Sequence, residues 1–206
     1  MYRIKSEHSH TIEIEKSRFI TYLKKVFSEE EAKTYLNQIQ KSHPNANHHC
    51  YAFLIGEHNE IQRSNDNGEP SGTAGVPMLE SLRKHHMQDT IAISVRYFGG
   101  IKLGAGGLIR AYSHSVSEAL KSATLTQTLK VQRYSLQFSY DLIGKIDYYF
   151  SKNEIAILEK QYEENVTYIF HSTTDDFEFF QEISNGQFVP KFIKDEIIEQ
   201  EIACPF

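Results

Sequence analysis

Five glycines lie within nine positions of this sequence: Gly99, Gly100, Gly104, Gly106 and Gly107. Such density costs backbone entropy and therefore needs a physical reason. One reason is the close approach of a ligand, because glycines let backbone N–H groups line a concavity and a following helix N-terminus favours a phosphate. The alternative is structural, since glycines also supply left-handed turns and allow a tight contact between a helix and a sheet.

The side chains around these glycines are of the types that contact nucleic acid. Arg96, Lys102 and Arg110 offer positive charge to phosphates, while Tyr97, Phe98 and Tyr112 offer rings on which a base can stack. Aromatic residues in a strand or a helix also form ordinary core. The segment fits neither a Walker loop nor a dinucleotide-binding loop, because the Lys and Ser or Thr of the first and the acidic partner of the second are missing. We therefore expect no cofactor.

A second loop carries carboxylates. Residues 64–72 are almost all turn formers, and Asp66, Glu69 and Ser71 lie among them, with Thr73 placed to cap a following helix. Asp66 and Glu69 could bind a cation or act as acid and base in a cleft shared with the glycine-rich segment. As loop carboxylates they could equally be solvated turn formers, so the sequence assigns no catalytic residue.

His48, His49 and Cys50 raise the question of a metal site. Because consecutive strand residues point to opposite faces, only His48 and Cys50 could share one, and no second cysteine pair completes a zinc site. Cys50 could act as a nucleophile assisted by His48 or His114, but lone buried cysteines usually pack as small apolar residues. We predict no metal site.

Alternating and periodic patterns predict the elements that position these loops. In the first part we expect hairpin strands near residues 10–15 and 18–26, a helix capped by Ser28, a strand from His49 to Gly56, a helix from Thr73 to about Lys84, a strand from Asp89 to Tyr97 and a helix from about Leu108 to Ala123. From residue 134 we expect strand 134–139, helix 141–152, strands 154–161 and 165–171, helix 174–184 and strand 193–202. The order βαββαβ is that of a ferredoxin-like sandwich.

Charge also divides the chain into two parts. The formal net charge is −5, but residues 1–130 carry 16 Lys and Arg against 13 Asp and Glu, a net of +3, whereas residues 131–206 carry 6 against 14, a net of −8. We therefore predict an α+β protein with domains 1–130 and 131–206. No apolar run is long enough for a membrane helix or a signal-peptide core, and the two cysteines are too few for a disulfide framework. These features predict a cytoplasmic protein with no membrane partner.

Four ordered motifs resemble those of the YigZ/IMPACT family: Lys16–Ile20, His43–Cys50, Asp66–Leu79 and Val95–Tyr112. The resemblance implies that the first domain has the fold of the fourth domain of elongation factor G and that the second resembles the ferredoxin-like fifth domain of that factor. It thereby implies contact with RNA or the ribosome. Eukaryotic IMPACT proteins add an RWD domain that mediates control of a translation-regulating kinase, and no such segment is present here, so kinase regulation is not transferred.

Three hypotheses follow, of which the third is a protein-interaction adaptor that uses the acidic second domain. In the first, the chain binds RNA or the ribosome in regulating translation, with Arg96, Lys102 and Arg110 on phosphates, the five glycines permitting approach, and Tyr97 or Tyr112 stacking on a base. In the second, an enzyme acts on a small phosphorylated or nucleotide-like ligand in the cleft between the two loops, with Asp66 and Glu69 supplying acid–base or metal chemistry.

Overall fold

The computed structural model describes residues 1–175 and 177–206 and confirms a two-domain α+β organisation. The chain forms two compact units, the first made of Met1–Gln127 with Gln200–Phe206 and the second of Thr128–Glu199. Within the described residues, no helix combines the length and the apolar character needed to cross a membrane.

The first unit is a mixed sheet-and-helix structure. Its strands are β1 (Tyr2–Ile4), β2 (His8–Ile14), β3 (Ser17–Lys25), β4 (His48–Ile55), β5 (Ile61–Asn65) and β6 (Thr90–Tyr97). Its helices are α1 (Glu29–Ser42), α2 (Gly75–Lys84) and α3 (Gly104–Ser122). Strands β2 to β6 form one antiparallel sheet in the order β2-β3-β6-β4-β5. In its register Arg96 lies opposite Phe19 on one side and His48 on the other.

Helices cover both faces of this sheet. Along β6, Ile91, Ile93 and Val95 pack with the buried residues of α1, whereas Ala92 packs with those of α2 and α3. Successive strand side chains point to opposite faces, so Arg96 shares the α2 and α3 face with Ala92. This burial on both faces explains why β6 reads as a nearly continuous apolar run.

The predicted helix starts agree with the structure at α1 and differ from it at α2 and α3. The predicted cap at Ser28 is confirmed, because its hydroxyl accepts a hydrogen bond from the N–H of Glu31 at 3.1 Å. The predicted cap at Thr73 is wrong: α2 begins at Gly75, and the Thr73 hydroxyl donates instead to the carbonyl of Pro70 at 2.7 Å. Helix α3 begins at Gly104, four residues before the predicted Leu108, although glycine has a low helix propensity.

The second unit follows the order βαββαβ. Strand β7 (Leu125–Phe138) begins in the first unit and continues into the second, and a 3-10 turn at Tyr140–Leu142 leads to α4 (Ile143–Lys152). Then come β8 (Ile157–Tyr162), β9 (Val166–Ser172), α5 (Glu178–Ile183) and β10 (Lys191–Ile202). The strands are ordered β10-β7-β9-β8. Helix α5 is shorter than the predicted 174–184, and Asp176 of that range lies outside the described residues.

Aromatic rings dominate the core of the second unit. Tyr134, Phe138, Tyr168 and Phe170 project from β7 and β9 onto Phe150 of α4 and its neighbours. Several of these rings meet edge to face, as between Phe150 and Phe170 at a centroid distance of 4.8 Å.

Candidate functional site

Two loops of the first unit meet across a cleft of about 380 Å³. The Asp66 loop, residues 66–74, leads into α2, and the Gly99 loop, residues 98–103, leads into α3. Glu69 and Pro70 line the cleft from the Asp66 loop, and Phe98, Lys102 and Leu103 line it from the Gly99 loop. The sequence predicted that these two loops share a cleft.

Asp66 caps the start of α2 from within its own loop. Its Oδ1 accepts hydrogen bonds from the N–H groups of Ala74 at 3.0 Å and Gly75 at 2.8 Å, and its Oδ2 accepts one from Gly72 at 2.8 Å. Burial by itself raises the pKa of Asp66, but these N–H groups outweigh it and hold the pKa below its ordinary value. The Asp66 carboxylate therefore accepts hydrogen bonds from the backbone of its own loop and is not directed to a ligand in the cleft.

Glu69 lies at the base of the cleft in a buried ion pair. Its Oε1 accepts hydrogen bonds from Nη1 of Arg96 at 2.7 Å and from the hydroxyl of Tyr112 at 2.8 Å. Arg96 also donates from Nη2 to the Ser17 hydroxyl at 3.3 Å. Its guanidinium lies 5.4 Å from the ring centroid of Phe19. Removing either charge would leave the other buried and uncompensated, so Arg96 primarily holds Glu69 in place.

Cys50 and Tyr112 extend this network into the core. The Cys50 thiol donates to the carbonyl of Asp66 at 2.9 Å, and its Sγ also lies 3.3 Å from the Tyr112 hydroxyl. Burial raises the pKa of the thiol to about 12, so the thiolate required of a nucleophile is scarce at neutral pH. Burial likewise raises the pKa of Tyr112. Its ring is fully enclosed, which leaves no room for a base to stack on it.

His48 stands beside Glu69 at the cleft wall. Its Nδ1–H donates to the carbonyl of Asn67 at 2.8 Å, and its Nε2 lies 3.8 Å from Oε1 of Glu69. Within residues 1–175 and 177–206, no group of three or more His, Cys, Asp or Glu side chains is arranged to hold a metal ion.

The three basic candidates differ in exposure. Arg96 is buried against Glu69, whereas Lys102 and Arg110 reach solvent. Lys102 lines the cleft. It also lines, with Arg110 and His114, a second groove of about 900 Å³ along α3. Lys102 and Arg110 are therefore the basic side chains that a polyanion can reach.

The exposed ring at the cleft is Phe98 rather than either tyrosine candidate. Tyr97 lies on the α1 face of the sheet, where its hydroxyl hydrogen-bonds with Nδ1 of His43 at 2.8 Å and Arg18 covers its ring. Phe98 follows β6 and is 46% exposed. Strand alternation places it on the same side as Arg96, and that signal could have favoured Phe98 over Tyr97 among the aromatic residues noted in the sequence.

Four of the five glycines are explained by the backbone conformation or by close packing. A Cβ on Gly99 would lie 2.0 Å from the carbonyl of Lys16, so this position requires a close backbone approach. Gly100 and Gly104 have positive φ, and a Cβ on Gly107 would lie 3.0 Å from Cβ of Leu103. Gly106 is different: its φ is not positive, and a Cβ there would meet only the end of the Arg110 side chain at 3.8 Å.

The N-terminus of α3 opens toward the cleft, which Gly104 and Ala105 line. Among the described residues, no side chain caps this end, and its first turn contains no acidic residue. The first N–H groups of a helix have no intrahelical acceptor and carry partial positive charge. Of the remaining candidates in the Asp66 loop, Ser71 is exposed and Thr73 is buried.

These features define a two-domain α+β protein whose first domain presents a cleft lined by basic and aromatic side chains and an uncapped helix. The Impact N-terminal domain family matches residues 15–120, and the domain of unknown function DUF1949 matches residues 136–187. The chain belongs to the IMPACT family.

Relatives resemble the chain over most of its length. It is 46% identical over 190 residues to the IMPACT family member YvyE of Bacillus subtilis, covering 90% of this chain and 88% of that protein. It is 38% identical over 153 residues to the IMPACT family member YigZ of Escherichia coli, covering 73% and 75%. A crystal structure described as that of a hypothetical protein matches with a TM-score of 0.60 and 32% identity, covering 95% of this chain and 98% of that one.

Proposed function

We propose that the chain is a cytoplasmic protein that binds RNA, on the ribosome, and regulates translation through the surface around the cleft. The observation that carries this proposal is the juxtaposition of exposed Lys102, exposed Phe98 and the uncapped start of α3. Positive charge and helix N–H groups contact phosphates, and an aromatic ring stacks on a base. Arg110 extends the positive surface along α3.

The link to translation rests on family membership and on the resemblance of the two domains to domains of elongation factor G. For the second unit, the order βαββαβ and the strand order β10-β7-β9-β8 support a ferredoxin-like assignment. We propose domain boundaries of 1–130 and 131–206, although residues Gln200–Phe206 cluster with the first compact unit. The net charge of −8 on residues 131–206 favours the first domain as the one that meets phosphate.

The test is sedimentation of tagged protein through a gradient of cell lysate at low and high salt, with RNA and ribosomal fractions followed. The wild-type chain should migrate with ribosomes or RNA at low salt and leave them at high salt, because phosphate contacts release counterions. The variant Lys102→Ala/Arg110→Ala should lose this migration. With purified single-stranded RNA, its slope of log affinity against log salt should fall by roughly 1.4, at about 0.7 per lost contact.

A matched control is Lys33→Ala/Lys41→Ala on α1. Lys33 and Lys41 are exposed and lie on the helix that covers the opposite face of the sheet. This control removes the same charge and should bind as the wild type does. Equal loss in both double variants would mean that net charge, not this surface, drives binding, and wild-type binding by Lys102→Ala/Arg110→Ala would reject the surface.

A second candidate function is an enzyme acting on a small phosphorylated or nucleotide-like ligand in the same cleft. The observation that favours it is the buried Glu69 carboxylate beside His48, a pair with the chemistry of an acid and a base. Because Asp66 is held by backbone N–H groups, Glu69 is the carboxylate in that scheme. It predicts saturable binding and turnover of a nucleotide, both lost in Glu69→Gln, by a protein that sediments free of ribosomes.

A further inference from the structure

We propose that the cleft takes one unpaired nucleotide of an RNA strand, with its base against Phe98, its phosphate at Lys102 and the start of α3, and a hydrogen-bond donor at Glu69. This inference rests on the proposed function and deepens it, because it states which form of RNA the site accepts and how the bound nucleotide is oriented.

The size of the cleft sets the first constraint. About 380 Å³ lies at the small end of the ~300–1,000 Å³ typical of ligand pockets, which suits a single nucleotide. A base held in a duplex is stacked and paired, so it presents only an edge and cannot enter such a cleft without unpairing. The site therefore selects single strands, loops or ends.

The anionic end of the nucleotide belongs at α3. This helix is 19 residues long, and no acidic side chain in its first turn competes for its N–H groups. Lys102 is exposed immediately before it. A phosphate there gains both charge-assisted hydrogen bonds and the favourable end of the helix dipole.

The cleft is also lined by a carboxylate with one oxygen that accepts no hydrogen bond from the described residues. The Glu69 side chain is only 3% exposed, and both of its hydrogen bonds, from Arg96 and Tyr112, end on Oε1. Its Oε2 accepts no hydrogen bond from the described residues. Arg96 also lines the cleft, and its Nε is buried without a hydrogen-bond partner. Buried polar atoms are normally paired, so the unpaired Nε of Arg96 indicates a polar ligand in the cleft, and the unused Oε2 of Glu69 offers that ligand an acceptor.

Glu69 also orients the ligand. Its negative charge disfavours a phosphate at the base of the cleft and favours a donor there, whereas the Lys102 end favours the phosphate. Both the ribose 2′-hydroxyl and the amino or imino groups of a base can donate to a carboxylate oxygen. Phe98 lies over the Arg96 guanidinium at 5.6 Å on one side and is otherwise half exposed, which offers a flat surface for the base.

The first experiment compares RNA forms by fluorescence anisotropy with the full chain. The probes are a labelled short oligoribonucleotide as a single strand and the same strand annealed to its complement. We expect the single strand to bind at least about tenfold more tightly, and Phe98→Ala to remove about tenfold of its affinity while Phe98→Tyr, which keeps the ring, retains it. Equal affinity for the single strand and the duplex, or unchanged affinity in Phe98→Ala, would contradict the insertion of a base into the cleft.

The phosphate end is tested at Ala105, which is exposed in the first turn of α3 and lines the cleft. Ala105→Glu places a carboxylate where the helix dipole favours it, so the fold should be retained. We expect it to weaken binding of the single strand about tenfold or more, while the neutral Ala105→Gln stays near wild type. Loss of the same size in both variants would indicate a steric effect, and no loss in either would place the phosphate elsewhere; both results contradict the assignment.

The donor end is tested with Glu69→Gln on RNA and DNA strands of the same base sequence, uracil included, after thermal unfolding has shown that the variant folds. A loss of affinity for RNA but not for DNA identifies the ribose hydroxyl as the donor, and a loss for both identifies the base. Unchanged affinity for both would remove Glu69 from the site. If Glu69→Gln does not fold, the Ala105 and Phe98 variants still decide the proposal.

Different results would contradict the proposed RNA-binding function and the proposed nucleotide site. Loss of binding in Lys102→Ala/Arg110→Ala, together with wild-type binding in Phe98→Ala, Ala105→Glu and Glu69→Gln, would leave an RNA-binding surface with no inserted nucleotide. Absence of RNA binding by the wild-type chain would overturn both.

Discussion

Helices α2 and α3 both begin after a glycine-containing loop, but their first turns are used differently. Asp66 supplies two carboxylate oxygens to three N–H groups at the start of α2, so that end is closed by the chain itself. At α3, no described side chain performs this role, and Gly104 and Ala105 face the cleft. Two segments of similar composition thus serve opposite purposes: the first stabilises the fold, and the second leaves donors available to a ligand.

The largest effect expected from this comparison is that of Asp66→Ala. Three backbone N–H groups lose a charged acceptor, and we expect the free energy of unfolding to fall by about 2–4 kcal/mol in urea denaturation. Asp141→Ala is the control, because Asp141 is an exposed carboxylate in the first turn of the 3-10 segment in the second unit. It should change stability by no more than about 0.5 kcal/mol. Similar losses in both variants would show that Asp66 is not a special cap.

The contribution of Asp66 should also depend on pH. The N–H groups of Gly72, Gly75 and Ala74 hold its pKa below its ordinary value of 3.8 against the opposing effect of burial. A depressed pKa gives stability that is fully present above the ordinary value and is lost as pH falls through the folded value. The stability difference between wild type and Asp66→Asn should therefore be constant from neutral pH to about 5 and shrink below about 4. A difference that widens with acid would contradict this assignment.

A smaller loss is expected at the first residue of α2. A Cβ on Gly75 would lie 2.6 Å from the backbone nitrogen of Asn65. Gly75→Ala must push these two backbone segments apart, and overpacking of this kind costs about 1–3 kcal/mol. Thermal or urea unfolding measures the loss. Wild-type stability in Gly75→Ala would mean that the Asp66 loop is free to adjust, and the contrast with α3 would then lose its structural basis.

The elements around the cleft were predictable, whereas the exposure of their side chains was not. Local signals identified the two loops, and Ser28 was recognisable as a cap because its partner lies only three residues away. Asp66 was not recognisable, since it reaches N–H groups six to nine residues ahead through a folded loop. Thr73 lies next to the start of α2 in the sequence, and this proximity led to the wrong prediction that it caps the helix.

Burial depends on contacts between distant segments, which explains the other revisions. Arg96 is buried because Glu69 and Ser17 meet it from different parts of the chain, and Tyr112 is enclosed by Phe19 and Cys50. These contacts join residues that are far apart in the sequence, so no local sequence pattern predicts them. One feature of the site was predictable locally. The alternation of side chains along β6 places Tyr97 on one face of the sheet and Arg96 and Phe98 on the other.

The smallest expected change in stability, at Gly106, is the one that best separates the two helix starts. Helix interiors favour alanine over glycine by about 0.5–1 kcal/mol, and neither φ nor crowding at Gly106 requires a glycine. Gly106→Ala should therefore raise the free energy of unfolding by about that amount, in contrast to the loss at Gly75. If glycine is present because a ligand approaches the backbone, the same variant should bind single-stranded RNA more weakly than wild type while being more stable. A variant that gains stability and keeps full affinity would show that no ligand approaches α3 at this turn, and the open helix start would then need another explanation.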